Sequence, residues 1–238
     1  MKARTLVFAL FLCTTIVACR KLDDTPPPVL GDMKAPESAP ASEIPVADTT
    51  TPTSIITHVV TFKTSKGRIE IGLYGTEAPI TVKNFVALVQ KRFYDGLLFH
   101  RVAKNYLIQA GDPKTRDPQA RAEWGRSGRT ATGDTLPEEL NPNLPSALRG
   151  YESGVVAMAR GTTPGSGNSQ FFICLEKARV IPYQYTIFGR VIDGMDAVRA
   201  IGSVAVDPGP FGDDDGIPRE PITILSARVL PVQDTAKR

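Results

Sequence analysis

Histidine is scarce in this sequence, which has only His58 and His100 among 238 residues, and three cysteines and one tryptophan are equally thin. Two histidines and no G-x-S-x-G leave a Ser-His-Asp hydrolase with little to stand on. Cys13 and Cys19 lie in an apolar N-terminal segment, so Cys174 is alone in the body and no disulfide can form there. One Cys with two His offers no zinc spacing, and Cys174 inside a strand-like run reads as a small buried hydrophobe. Asp213-Asp214-Asp215-Gly216 suggests a calcium loop, but Phe211 stands where the first ligand belongs, so it reads as an acidic turn. Gly165-Ser166-Gly167 precedes a strand rather than a helix and lacks the Lys of a P-loop. A formal charge of +3 is too small to argue for a nucleic-acid partner. No metal or cofactor is expected.

Apolar residues are not scarce: at 42% they suffice for a core. The first of them form a leader. Lys2 and Arg4 precede an uncharged run from Leu6 to Ala18, too short to span a bilayer comfortably as a permanent helix. Ile16-Val17-Ala18-Cys19 resembles the bacterial lipobox, which implies cleavage after residue 18 and lipid on Cys19. Residues 19–54 are dense in Pro, Thr, Ala and Ser without periodicity, the composition of a disordered tether. The expected place is the bacterial cell envelope, lipid-anchored and extracytoplasmic.

The folded domain is expected over residues 55–231, with a short tail at 232–238. Ile55 to Thr64 and Arg68 to Tyr74 read as a hairpin. Pro79 opens a helix whose apolar stripe, Val82, Phe85, Val86 and Val89, runs on to Phe93, with Gly96 closing it. Leu97 to Val102 and Tyr106 to Pro113 are strand-like, whereas 114–153 shows no period and reads as a solvated, mixed-charge excursion. In Gly154 to Leu175 two strand-like runs flank a Gly/Ser/Thr/Pro loop, and alternation puts Phe171 and Ile173 on one face and Gln170 and Phe172 on the other. That second pair suits a shallow groove binding something partly apolar and hydrogen-bonding, but this stretch alone favours a sheet covered on both faces, with Gln170 bonding a nearby loop. Tyr185 to Val191 is a strand, Gly194 to Ile201 a short helix, Val204 to Arg219 a turn-rich connection and Pro221 to Val229 the last strand. Many short strands with two helices suggest a mainly β protein, a closed barrel with helices over its ends.

F-H-R-V at 99–102, Y-L-I-Q-A-G-D-P at 106–113, the M-A-x-G segment, S-Q-F-F-I-C at 169–174, F-G-R-V at 188–191 and G-M-D-A-V at 194–198 together resemble the cyclophilin family of peptidyl-prolyl cis-trans isomerases. The resemblance runs from about Ile55 to Leu230. It implies a closed eight-stranded antiparallel β-barrel capped by two α-helices. It also implies a monomer acting on proline-containing polypeptides, here tethered to a membrane through Cys19. By the same resemblance Arg101 and Gln109 are catalytic, Arg101 as donor to the prolyl nitrogen and Gln109 as its orienter. Tyr106, Leu107 and Phe172 would hold the proline ring. His100 and Gln170 would line the groove, the backbone of Ala159 to Arg160 would hold the substrate chain, and Met158, Ile181 and Tyr185 complete the set. The family usually has Phe at Tyr106, and many members have Gly at Ala110 and Asn at Arg160; Val180 and Tyr185 replace a Trp and a His associated with cyclosporin binding. The alternative within the same groove is a proline-peptide-binding module or chaperone of the envelope with weak catalysis.

Overall fold

A computed structural model describes residues 53–178 and 181–231. The leader, Cys19, most of the tether, Val180 and the 232–238 tail lie outside the described residues.

The chain opens with β1 (His58–Thr64) and β2 (Gly67–Leu73), paired antiparallel from His58 opposite Leu73 to Thr64 opposite Gly67. The tight link works because Gly67 takes φ 131° and the Thr64 hydroxyl donates to the Gly67 carbonyl at 2.8 Å. Helix α1 (Pro79–Gln90) follows, with Pro in its first turn. Its first amides are satisfied from far away in sequence: Ile80 and Thr81 N–H donate to the Glu139 carboxylate at 2.9 and 2.8 Å. The helix stops three residues short of Phe93. Arg92 enters the left-handed region at φ 57°, Arg92 N–H donates to Val89 and Phe93 N–H to Leu88, the bond pair of a Schellman stop.

Strands β3 (Phe99–Ala103) and β4 (Leu107–Ala110) come next, then two 3-10 turns over Pro113–Arg116 and Pro118–Glu123, and the short α2 (Pro145–Arg149). Strands β5 (Val155–Met158), β6 (Phe171–Cys174) and β7 (Ile187–Asp193) lead to α3 (Met195–Gly202). The chain ends in β8 (Val206–Gly209), β9 (Gly212–Pro218) and β10 (Ile224–Leu230).

Two expectations are corrected here. The eight-stranded closed barrel is not observed. The described residues form one ten-stranded antiparallel sheet in the order β10-β1-β2-β7-β5-β6-β4-β3-β9-β8, which does not close. The physical reason is the β8–β9 hairpin, which the Gly, Pro and Asp content of 204–219 disguises as a turn-rich connection. Strand β9 pairs with β3 through Val102 opposite Gly216 and Ala103 opposite Asp215, so it occupies the later part of that edge and leaves only residues 96–99 to bond with 222–224. Between the stretches leading into β3 and β10 the described residues show the isolated bridge Leu98 to Thr223 and three backbone hydrogen bonds, Gly96 N–H to Ile224, Ile224 N–H to Leu97 and Phe99 N–H to Ile222, but no continuous strand ladder. The helix complement also differs: the described residues hold three α-helices and two 3-10 turns, not two helices.

The second correction concerns 114–153, which is folded rather than a solvated excursion. It carries the 3-10 turns, α2 and a bridge from Leu136 to Gly167. Asp112, fully buried, anchors its first part by accepting hydrogen bonds from Lys114 N–H, Gly125 N–H, Ser127 N–H and the Ser127 hydroxyl.

The sheet has apolar side chains on both faces. The inner cluster gathers Phe62, Phe85, Tyr94, Phe171 and Phe188, with Phe85 5.0 to 6.2 Å from each of the other four ring centroids. The smaller outer cluster contains Tyr106, Leu107, Tyr151, Phe172, Cys174, Ile181 and Tyr185. Phe171 and Phe172, adjacent in sequence, belong to different clusters because strand side chains alternate. Burial pushes the free Cys174 thiol up to about 12, so it stays protonated and unreactive at neutral pH.

Candidate functional site

Pairing across four strands builds one row of side chains on the outer face. Arg101 of β3 lies opposite Gln109 of β4, Gln109 opposite Phe172 of β6, and Phe172 opposite Ala157 of β5. Partners in an antiparallel pair project to the same side, so a cation, an amide and an aromatic ring stand side by side. A register irregularity between Phe99 and Arg101 turns β3 from the inner face, where Phe99 packs, to the outer face. His100 occupies that irregularity.

The Arg101 guanidinium is held by Asp215 of β9: Nε donates to Oδ1 at 2.8 Å and Nη2 to Oδ2 at 2.6 Å, with both residues under 10% exposed. The Phe211 ring lies 5.1 Å from the guanidinium carbon.

The two glutamines form a relay whose direction can be read from its far end. The Gln170 amide nitrogen donates to the Gly125 and Ser127 carbonyls at 2.9 and 2.6 Å. Two acceptors on that side fix the amide's orientation, so Gln170 Oε1 faces back and accepts from Gln109 Nε2 at 2.8 Å. Gln109 Oε1 is left buried with no hydrogen-bond partner among the described residues. The loop-bonding expectation for Gln170 thus describes its nitrogen, while its oxygen serves Gln109.

Tyr106, Leu107, Ala159, Phe172, Ile181 and Tyr185 gather in the outer cluster beside this row. Phe172 meets Tyr185 edge-on at 5.6 Å and Tyr151 at 6.3 Å. The Tyr151 hydroxyl donates to the Tyr185 carbonyl and accepts from Tyr185 N–H, which pins the segment that returns Tyr185 to the cluster. Burial raises the Tyr106 hydroxyl above its ordinary value, so it is neutral throughout the physiological range. Arg160 is folded flat against this wall: its guanidinium carbon is 5.4 Å from the Tyr185 ring, and its Nε is 3.0 Å from Glu138 Oε1 and donates to the Gln184 carbonyl. Met158 does not join this group. Its side chain belongs to the inner cluster, opposite Phe171.

His100 is 3% exposed, and its ring nitrogens face Gln170 and the Leu98 backbone without meeting hydrogen-bond geometry. Burial lowers its pKa from 6.5 to about 4, with Asp112 opposing and Arg101 assisting. The imidazole is therefore neutral at pH 7. The unfolded chain takes up a proton near pH 6.5 and the folded chain only near 4, so the stability this residue contributes is complete above 6.5 and lost as pH falls toward 4. Unfolding titrations should show about 3 kcal/mol lost across that interval, and His100→Gln should flatten that limb.

Sequence reasoning missed Phe211 and Asp215, and missed that Asp112, Gly125 and Ser127 support Gln170. The only signal for Asp215 was its place in an acidic run. Within β9, Asp213 and Asp214 are exposed and Asp215 is buried, and nothing local in the sequence tells them apart. Among the described residues no group of His, Cys, Asp or Glu is placed to hold a metal ion, and no helix is long and apolar enough to cross a membrane.

The family model described as cyclophilin type peptidyl-prolyl cis-trans isomerase/CLD matches residues 59–229. The chain belongs to the cyclophilin-type peptidyl-prolyl cis-trans isomerases. It is 34% identical over 171 residues to the peptidyl-prolyl cis-trans isomerase-like 1 of Aspergillus niger, covering 72% of this chain and 94% of that protein. With a peptidyl-prolyl cis-trans isomerase of Acinetobacter baylyi it shares 34% over 184 residues, 75% of this chain and 88% of that one. A crystal structure of a Cryptosporidium parvum cyclophilin type peptidyl-prolyl cis-trans isomerase, determined in the presence of the dipeptide Ala-Pro, has a TM-score of 0.61 at 26% identity and covers 73% of this chain and 99% of that chain. As a cyclophilin this protein is an enzyme that accelerates rotation about X-Pro bonds in proline-containing polypeptides.

Proposed function

We propose that this cyclophilin isomerises X-Pro bonds in extracytoplasmic polypeptides without covalent chemistry, using Arg101 as donor to the prolyl nitrogen. The observation that carries the reading is the row Arg101, Gln109, Phe172 on one face of three adjacent strands. The X-Pro amide resists rotation because its C–N bond has double-bond character, with a barrier of about 18 to 20 kcal/mol. As the amide twists, the nitrogen lone pair becomes localised and accepts a hydrogen bond that the planar amide cannot accept well. A fixed N–H donor aimed there binds the twisted state more strongly than the ground state, which is what accelerates a reaction. The guanidinium is fixed by Asp215, so little reorganisation accompanies the twist.

Tyr106, Leu107 and Phe172, flanked by Ile181 and Tyr185, form the buried apolar cluster beside the row that we assign to the proline ring. Gln109 Oε1, a buried acceptor lacking a protein donor among the described residues, suits an N–H of the substrate backbone. Ala159 and Arg160 offer backbone groups, His100 and Gln170 the rim, and Met158 supports from the inner side. The Cryptosporidium relative determined with Ala-Pro supports a proline peptide as occupant. Activity on X-Pro peptides that persists undiminished without the Arg101 guanidinium would overturn the mechanism.

The extracytoplasmic site rests on the sequence: the leader of residues 1–18, the lipobox ending in Cys19 and the Pro/Thr-rich stretch to residue 54. Lipid on Cys19 anchors a monomeric domain to the bacterial envelope, where exported chains fold. Cys19→Ser is expected to abolish labelling by a fatty-acid analogue and to move the protein out of the membrane fraction. Retention in that fraction with labelling intact would refute the anchor.

A further inference from the structure

The established reaction leaves the β8–β9 hairpin without a part to play, yet its backbone is tightly constrained. A Cβ on Gly216 would lie 1.9 Å from the Asp207 carbonyl oxygen, and one on Gly209 2.9 Å from the Asp215 carbonyl oxygen. Only glycine permits this approach, so the hairpin's register is locked. Further contacts tie the hairpin down. Arg121 Nη2 donates to Asp207 Oδ2 at 2.8 Å, and Arg219 Nε to the Val206 carbonyl at 3.1 Å. Lys104 N–H donates to the Asp214 carbonyl at 2.9 Å and Lys104 Nζ to Asp214 Oδ1 at 2.6 Å. The carboxylates of Asp207 and Asp214 therefore have cations of their own. Asp215, opposite Ala103 and 2% exposed, is matched to Arg101.

We infer that Asp215 is the positioning residue of this isomerase: it sets the plane and rotamer of Arg101 so that the guanidinium meets the substrate in a fixed orientation. The inference rests on the assignment of Arg101 as donor. The contact uses the Nε and Nη2 edge, so the Nη1 side of the plane is directed away from Asp215. A bidentate pairing specifies orientation as well as position, which a single hydrogen bond does not. An arginine side chain otherwise has about four rotatable bonds to order during the reaction, and pairing in the resting enzyme settles them beforehand. Phe211, stacked 5.1 Å from the guanidinium carbon, limits the remaining tilt.

The test is a double-mutant cycle on the whole protein, reading kcat and KM for an Ala-Pro peptide in a cis-trans exchange assay. Asp215→Asn, nearly the same shape without the charge, is expected to lower kcat at least tenfold with KM nearly unchanged. In an Arg101→Lys background the same change should have little further effect, because the fork it orients is already gone. Asp215→Glu keeps the charge and displaces the carboxylate by one methylene; it should hold the unfolding midpoint near wild type yet still lose kcat, which covers the case in which Asp215→Asn fails to fold. Equal losses in the wild-type and Arg101→Lys backgrounds would make Asp215 merely structural, and an unchanged or raised kcat in Asp215→Asn with Arg101→Lys slow would overturn positioning while sparing the donor assignment. Wild-type rates in Arg101→Lys itself would bring down both.

Discussion

Arg101→Lys is expected to lower kcat/KM for X-Pro isomerisation by about 100-fold or more, the loss typical of removing one preorganised donor from a transition state. Lysine keeps the positive charge beside Asp215 and so spares the fold, but its ammonium is a point charge without the planar fork that holds Asp215 and faces the substrate at once. Arg101→Ala should lose at least as much activity and, in addition, about 3 to 5 kcal/mol of stability, because Asp215 would remain buried without its partner. Comparing the two by enzyme kinetics and chemical denaturation separates catalysis from folding. A Lys variant with wild-type kinetics would show that the guanidinium geometry does not matter.

The second large effect lies outside the row of Arg101, Gln109 and Phe172. Asp112→Ala removes a fully buried carboxylate that accepts from Lys114, Gly125 and the backbone and hydroxyl of Ser127. Its loss should destabilise the protein by about 3 to 5 kcal/mol, since each buried donor left without an acceptor costs roughly 1 to 3 kcal/mol. Activity should fall with it by a traceable route. Gly125 and Ser127 also offer the carbonyls that orient Gln170, Gln170 orients Gln109, and Gln109 stands opposite Arg101. Hydrogen exchange should therefore quicken at residues 113–128 first, at temperatures where the sheet is still protected. Uniform loss of protection across the sheet and the loop would mean that Asp112 supports the whole domain rather than this relay.

The legibility of the site in the sequence follows from range. Strand alternation is a local rule, and it separates Phe171 from Phe172 correctly because β6 lies between two partners with regular pairing. The same rule places Met158 with Phe171, on the inner side, and the resemblance to the family does not carry that distinction. Helix α1 is visible through its apolar stripe, but its true N-terminal partner, Glu139, is 59 residues from Ile80 and no local pattern announces it. The ten-stranded open sheet is hidden for a similar reason. G-P-F-G-D-D-D-G is a turn composition, and it becomes strand because β8 on one side and the edge of β3 on the other offer it hydrogen bonds. Asp215 then follows: in the sequence it is one of three adjacent acids, and in the fold it is the one that the hairpin turns toward Arg101. The 114–153 stretch looks aperiodic because its order comes from side-chain capping by Asp112 and Asp117 and from Glu139 on α1, none of which has a period.

The row Arg101, Gln109, Phe172 is proposed to turn X-Pro bonds over. Its most direct test is magnetisation exchange between the cis and trans forms of an Ala-Pro peptide, measured with and without catalytic amounts of the intact protein. Uncatalysed exchange takes roughly tens to hundreds of seconds, so any catalysis stands well clear of background. Exchange is expected to be faster in proportion to enzyme concentration, lost on Arg101→Lys and unaffected by Cys19→Ser. Exchange that stays at the uncatalysed rate, or acceleration that survives intact in Arg101→Lys, would contradict the proposal.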